Sequence, residues 1–498
     1  MIKQLEVDGV PAVLAPVTGE THAGLVFRVG LADEPLVRRG ITHLIEHLAL
    51  HGLGEAGAHT NSTTGVEHTF FHVRGSADRI AAFLNRVCAT LRDLPAERIA
   101  AEIEVLRSES AGRQPEPRSM WRYGARDYGM PSFHERGLHG VTGEDLHAWV
   151  AQFFTRENAA LWVAGDEVPA GLRLDLPDGV RQPAPVPSCA LPVTPAWFAG
   201  HRGAGHAESV AWDTVVRREA RAAVFANVLE RQLGRDLTRR GVRHEVRTEY
   251  EPRAARTARI TAVADAAPAD RPGVLAGLTG VLAAMRDGRV EAADVSTVVK
   301  LTCEGLLDAE ERGGRLPGQA FNVLAGRGVQ GVDEAVAEVR SVTVDEVARV
   351  AAAAYPAGLL MAPAGTTAGP EGYTAAPEVS ASMVTGRTHR ARGNRGLRLV
   401  HGEDGVSVVE DDAIRTVRYD SCAAVLAWPD GGRRLIGDDA IAVRVEPTLY
   451  TGGAAVVADI DSRTPPALRI DMPPRDPDAI PQPRRGWRDV WGISRPNG

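Results

Sequence analysis

Five prolines fall within the fifteen residues Arg181–Pro195 (RQPAPVPSCALPVTP), and this run limits the chain more than any other feature. Proline fixes φ and lacks an amide donor, so the run suits neither a helix interior nor a central strand. It reads as a linker that divides the chain into two long regions. On its N-terminal side, Val10–Leu14, Ala23–Val29, His68–Val73 and Ala159–Val163 read as strands. Helical spacing covers Pro35–Leu53, Ala77–Arg92, Ala96–Arg113 and Leu146–Phe154. On its C-terminal side, helices are expected near Arg217–Arg240, Asp270–Arg286, Ala292–Glu311 and Val344–Ala354. Strands mixed with helices over these lengths predict an α+β architecture of packed layers. The two regions are candidates for a duplicated unit.

After the small-residue stretch Ala364–Ala376 the pattern changes. Between Gly396 and Pro447 short runs (LRLV, VSVVE, AVLAW, RRLIG, AVRVE) are separated by Asp-Gly and Gly-Gly turns. This predicts a small all-β module. The expected organisation is therefore a first domain 1–180, the linker 181–195, a second domain 196–365, a linker 366–395, a β module 396–470 and a proline-rich tail 471–498.

Composition excludes several functions. The 498 residues carry 57 Lys+Arg against 64 Asp+Glu, a net charge of -7, which argues against a nucleic-acid binder. No run of about eighteen apolar residues occurs, so no membrane span is expected. The N-terminus lacks a basic segment followed by an apolar run, and the expected location is the cytoplasm. The four cysteines (Cys88, Cys189, Cys303, Cys422) lie far apart without a CxxC pair, which excludes a dense disulfide scaffold and a cysteine-clustered zinc finger. Cys88 lies in an apolar helix and reads as core. The glycines of GGRLPG (Gly313–Gly318) read as a loop and GVQGVDEAV (Gly328–Val336) as a turn, neither in a phosphate-binding context.

The chemistry-bearing segment is GITHLIEHLALHG, in which His43, Glu46 and His47 form H-x-x-E-H. On a helix, Glu46 and His47 fall within about 60° of His43, while Ile41, Leu44, Ile45 and Leu48 form a separate core stripe. Two imidazoles one turn apart can chelate zinc, and the carboxylate beside them can take a proton from an attacking water. The alternative is a helix with two incidental surface histidines. A third ligand could come from Ala96–Arg113, where Glu102 and Glu109 stand seven residues apart, within about 20° of each other. Both border the stripe of Ile99, Ile103 and Leu106, whereas Glu104 should face solvent. A solvated acidic edge is the alternative here. His51 reads as the end of its helix, and His68 and His72 as partly buried histidines on one strand face.

H-x-x-E-H followed by a paired-glutamate helix resembles the pitrilysin/insulinase family of zinc metallopeptidases. The resemblance implies His43, His47 and Glu109 as zinc ligands, Glu102 as the acid that supports them, and Glu46 as general base. HTNSTTGVEHTFFHV (His59–Val73) resembles the family strand that pairs with substrate backbone, with Asn61 matching its Asn and Ser62 in place of the usual Ala. FFTRENAALWVAGD (Phe153–Asp166) resembles the segment closing the family's first domain. The implied fold is two pitrilysin/insulinase-like α/β sandwich domains forming half a clamshell, with the C-terminal β module outside the resemblance. That module is similar to a pleckstrin-homology-like barrel.

Two departures from the pattern stand out. Only 61 residues separate His47 from Glu109, fewer than is usual in the family. In LTRRGVRHEV (Leu237–Val246), Thr238 and His244 stand where the family has a substrate-contacting Arg and Tyr; Arg239 could shift by one to serve, and His244 could contact substrate. The resemblance thus implies a zinc endopeptidase acting on short peptides or unfolded segments, with leader-peptide processing as one role. It further implies a heterodimer whose related partner subunit supplies the Arg/Tyr pair, with a homodimer as runner-up. A non-catalytic peptide-binding or scaffold subunit is the competing reading.

Overall fold

The computed structural model describes residues 2–51, 60–112, 115–200 and 210–483. Gly52, Leu53, His59, Arg113 and the tail from 484 onward, which enter the expectations above, lie outside the described residues.

The first half holds a six-stranded sheet of β1 (Lys3–Val7), β2 (Val10–Ala15), β3 (His22–Phe27), β4 (Thr60–Thr64), β5 (Thr69–Arg74) and β6 (Ala159–Ala164). Its order is β1-β2-β6-β3-β5-β4. Its helices are α1 (Ile41–Ala49), α2 (Ala77–Arg92), α3 (Ile99–Gly112), α4 (Pro117–Tyr123) and α5 (Gly143–Phe153). The second half holds β7 (Ala196–Ala199), β8 (Val210–Arg217), β9 (His244–Arg253), β10 (Thr257–Ala266), β11 (Leu359–Ala362) and β12 (Thr374–Ala375), in the order β12-β7-β11-β8-β10-β9. It carries α6 (Ala220–Arg239), α7 (Arg271–Arg286), α8 (Ala292–Glu311), α9 (Leu316–Leu324), α10 (Val332–Arg340) and α11 (Val344–Ala354).

The two sheets share one topology. β2-β6-β3-β5-β4 and β7-β11-β8-β10-β9 follow the same chain order, each with one parallel pair (β2 with β6, β7 with β11) and otherwise antiparallel neighbours. This shared order agrees with the duplicated unit for which the mixed strand and helix pattern made the two regions candidates. Each half also lends a helix to the other. Leu316, Ala320, Phe321 and Leu324 of α9 pack with Val13, Val26 and Trp162 on the outer face of the first sheet. Trp121 of α4 stacks on Phe198 of the second sheet, ring centroids 4.9 Å apart. Gly313 and Gly314 lie in a turn and Gly328 and Gly331 outside any helix, as expected, but the rest of those two segments is helical: Leu316–Gly318 open α9 and Val332–Val336 open α10.

A buried charge network joins the halves. Asp213 on β8 accepts from Arg122 of α4 (Nε, 2.8 Å) and from Arg259 of β10 (Nε, 3.2 Å), and all three side chains are buried. Glu67 in the first half, also buried, accepts from the Ala254 amide at the tip of the β9–β10 hairpin (2.7 Å).

The C-terminal part forms two four-stranded sheets. One is β13 (Arg387–Arg390), β14 (Leu397–His401), β15 (Gly405–Glu410) and β16 (Ala413–Arg418). The other, ordered β19-β18-β17-β20, contains β17 (Cys422–Ala427), β18 (Arg433–Gly437), β19 (Ala442–Val445) and β20 (Arg469–Asp471). Between β19 and β20 runs α12 (Gly453–Arg463), whose Val456, Val457 and Ile460 fill the core between the sheets. The module is therefore not all-β. Its apolar stripe is too short and too rich in small residues to announce a helix, and only the waiting core makes it one. The segment 366–395, read as a linker, contributes β12 and β13.

Candidate metal centre

The helix expected from Pro35 begins at Ile41 instead. Leu36–Arg38 is a single 3-10 turn, and Gly40 takes φ 105°, which suits glycine. The first amides of α1 are satisfied by a residue outside it. Glu34, buried, accepts from Gly40 N (3.0 Å) and Thr42 N (2.9 Å). This carboxylate at a helix N-terminus takes the role of a cap. Ile41, Leu44, Ile45 and Leu48 are fully buried beneath, so the opposite stripe of α1 must present His43 and His47. Their ring centroids lie 4.9 Å apart.

Leu106, buried, fixes α3 against the same core, and Glu102 and Glu109 then face α1. Glu109 lies with Oε2 4.0 Å from His43 Nε2 and Oε1 3.8 Å from His47 Nε2. Glu102 instead meets the other nitrogen of His47, Oε2 to Nδ1 at 3.5 Å, and its Oε1 accepts from Arg98 (3.0 Å). Glu104 points away to an exposed ion pair with Arg107, as expected of the solvent side. One ligand atom from each of His43, His47 and Glu109 can be chosen so that all lie within 4.8 Å of one another. Two imidazole nitrogens and one carboxylate oxygen form a donor set that fits zinc and leaves a fourth position open.

Glu46, also on α1, is buried, and Thr64 Oγ1 of β4 donates to its Oε2. Alternation along β4 puts Ser62 on the same side as Thr64 and Asn61 on the other. Asn61 is exposed and its Oδ1 accepts from Ser62 N (2.8 Å). β4 is an edge strand of its sheet among the described residues.

One residue of this centre carries no signal in the sequence. Glu135, in the loop between α4 and α5, accepts from His43 Nδ1 (3.0 Å). A carboxylate only accepts, so the proton sits on Nδ1 and the Nε2 lone pair faces Glu109. Burial works against charge on His43, but the hydrogen bond and negative charge of Glu135, with Glu46 and Glu109 nearby, raise its pKa above 6.5. Burial likewise opposes ionisation of Glu135, and the bond to His43 with the charges of His43 and Arg39 outweighs it, holding its pKa below the usual carboxylate value. Nothing in the pattern FHERGLHG distinguishes this Glu from a surface acid.

The duplicated half shows what the same frame looks like without imidazoles. On α6, Glu230 accepts from Thr248 of β9 (N, 2.6 Å; Oγ1, 3.1 Å), as Glu46 does from Thr64 of β4. Asn227 and Arg231 stand at the spacings where α1 has His43 and His47. Arg231 and Arg235 pair with buried Asp294 on α8. His244 begins β9, where its Nδ1 donates to Val242 O (2.9 Å) within its own half. Thr238 Oγ1 donates back to Gly234 O (2.8 Å), and Arg239 closes α6. His68 is half-buried against Phe70 and Phe321, and desolvation with Arg253 pushes it down to about 4, so it stays neutral.

Solved structures share this architecture. A protease from Helicobacter pylori aligns with a TM-score of 0.62 at 16% identity, over 73% of this chain and 99% of its own. The inactive domain of a peptidase M16 from Pseudomonas fluorescens aligns at 0.60 and 13% identity, over 74% and 99%. The fold is that of the M16 peptidase half-clamshell. The periplasmic protease PqqL from Escherichia coli aligns at 0.58 and 12% identity over 82% of this chain but 55% of its own, so the chain spans about half of that molecule. At these identities the likeness is one of fold. No family model matches the sequence. No curated protein matches it either. Among the described residues no helix is long and apolar enough to cross a membrane.

Proposed function

We propose that the protein is a zinc-dependent endopeptidase acting on short peptides or unfolded segments. The observation that carries this reading is the convergence of His43 Nε2, His47 Nε2 and the Glu109 carboxylate beside buried Glu46. In this reading His43, His47 and Glu109 hold the ion, and Glu102 orients His47 through its Nδ1. Zinc, when bound, supplies a Lewis acid for the scissile carbonyl. Glu46 takes the proton of the attacking water, and Thr64 holds one of its oxygens so that the other is free to act. The open edge of β4, with Asn61 and Ser62, receives the peptide backbone as an added strand.

Glu46→Gln should retain stoichiometric zinc and lose hydrolysis by about 10²–10⁴-fold. His47→Ala should lose both. A wild-type protein without stoichiometric zinc after metal repletion would end the reading.

The assembly we propose is a heterodimer. By the sequence resemblance Thr238 and His244 stand where the family has its Arg and Tyr, and the chain spans about half of the PqqL chain it matches. A related partner chain would supply that pair and the second wall of the shell, with removal of a leader peptide as a role for the complex. A homodimer in which Arg239 and His244 act in trans is the runner-up. Full turnover by the isolated chain, with no gain on adding the candidate partner, rules the heterodimer out. A non-catalytic peptide-binding subunit is the competing function, favoured by the likeness to an inactive M16 domain. It predicts peptide binding without cleavage in the zinc-loaded chain. We place the protein in the cytoplasm, a reading supported by four free cysteines.

A further inference from the structure

The proposed chemistry uses none of the C-terminal sheets, yet they sit against the loops behind the metal centre. Ala424, Leu426, Ile436 and Ile470 of β17, β18 and β20 share one apolar cluster with Leu36, Val37, Ala125 and Met130 of the first half. Ala125 N donates to Asp438 O (2.8 Å) at the same junction. Beside these first-half residues runs a chain of buried and half-buried charge that ends on a proposed ligand. The carbonyl of Met130 accepts from Arg39 Nε (3.2 Å). Arg39 Nη1 donates to Glu34 (2.9 Å) and contacts Glu135 (3.4 Å). Glu135 Oε1 accepts from His43 Nδ1 (3.0 Å), and its Oε2 accepts from Ser110 of α3 (3.4 Å), next to Glu109. Glu135 thus touches both helices that contribute to the centre, and Met130 both bonds to the network and lies under the module. The fit is close, since a Cβ on Gly40 would lie 2.8 Å from Glu135 Cβ and one on Gly137 would lie 2.4 Å from Arg39 N.

We propose that the C-terminal module is an intramolecular brace for the metal centre, and that Glu135 is the positioning residue through which it acts. The inference rests on the zinc reading above. A ligand imidazole without a partner on its second nitrogen is free to turn about its side-chain torsions, which carries Nε2 out of the cluster, and to take the other tautomer, which puts the proton on Nε2 and blocks its lone pair. Glu135 prevents both. Met130 and Phe133 of its loop pack in the module's apolar cluster, while Leu138 on the other side of Glu135 packs in the first-half core, so loosening the module junction frees one side of the loop and lets Glu135 and the His43 ring relax together.

The test uses the full-length chain, with Zn²⁺ affinity read by chelator competition and site geometry by the absorption spectrum of bound Co²⁺. Glu135→Ala should weaken Zn²⁺ binding by about 10–100-fold and alter the Co²⁺ bands, with the metal-free circular dichroism unchanged. Glu135→Gln keeps an acceptor for Nδ1 and should lose less. Leu426→Ala/Ile470→Ala should also weaken Zn²⁺ binding, and this loss should vanish in the Glu135→Ala background, because the two act along one path. Wild-type affinity in Glu135→Ala overturns the positioning role. An unchanged affinity in Leu426→Ala/Ile470→Ala, or an equal loss on top of Glu135→Ala, overturns the brace. Should the double variant fail to fold, Leu426→Val alone enters the same cycle. A wild-type chain that binds no zinc refutes the zinc reading itself, a result distinct from these.

Discussion

Asp213→Asn should unfasten the two halves at their buried junction. Asp213 is wholly buried and is shared by Arg122 of the first half and Arg259 of the second. Arg259 keeps a second carboxylate, Glu116, at 3.5 Å. Among the described residues no other acid pairs with Arg122, which would become an uncompensated buried cation, because Asn supplies an acceptor but no charge. Removing one partner of a buried pair costs about 3–5 kcal/mol. At roughly 1 °C per kcal/mol for a chain of this size, the midpoint of thermal unfolding should fall by about 3–5 °C. Differential scanning calorimetry measures it. Arg122→Leu/Asp213→Leu should regain part of the loss, since an apolar pair of similar volume can replace a buried ion pair. A shift of less than about 2 °C in Asp213→Asn, or a double variant less stable than Asp213→Leu, would refute the reasoning. The same network sets an acid limit. Burial opposes ionisation of Asp213 and Glu116, but the neighbouring arginines prevail, lowering Asp213 and holding Glu116 at about 2. Depressed folded-state values mean that this stability is present above the ordinary carboxylate range and is lost as pH falls from about 4.5 toward 2.

Four further outcomes are expected. Glu109→Gln should weaken zinc binding far more than Glu102→Gln, because Glu109 faces both Nε2 atoms and Glu102 only the Nδ1 of His47; the reverse order in chelator competition would exchange their roles. Thr64→Val should leave zinc bound and lower kcat by about tenfold, the worth of one hydrogen bond to a charged group, and an unchanged kcat would remove Thr64 from the mechanism. The raised pKa of His43 means that protons compete with zinc from above pH 6.5, so affinity should fall as pH drops through that value and the break should move lower in Glu135→Gln; an affinity flat across that range would contradict it. Stripping zinc with a chelator should lower the unfolding midpoint, since a ligand bound only to the folded chain stabilises it, and equal midpoints with and without metal would argue against a resident ion.

Local sequence determined the helices with a strong apolar period. Ala77–Arg92, Ala292–Glu311 and Val344–Ala354 end where their spacing places them, because the stripe and its flanking polar residues are both local. The i, i+3, i+4 relation of His43, Glu46 and His47 and the seven-residue step from Glu102 to Glu109 are likewise properties of one helix each, legible before any packing is known. What only the tertiary structure decided is everything that depends on two distant segments meeting. Glu34 starts α1 later than its pattern suggests, and Glu135 reaches His43 from 92 residues away. α9 emerges from an apparent loop because the outer face of the other sheet needs cover, and α12 forms because a core between two sheets is there to receive it. Arg122, Asp213 and Arg259 look like ordinary surface charges in the sequence, and burial against one another is what gives them their energy. A side chain's type and spacing are written in the chain, whereas its solvent, its partner and the proton it holds are set by what the fold brings beside it.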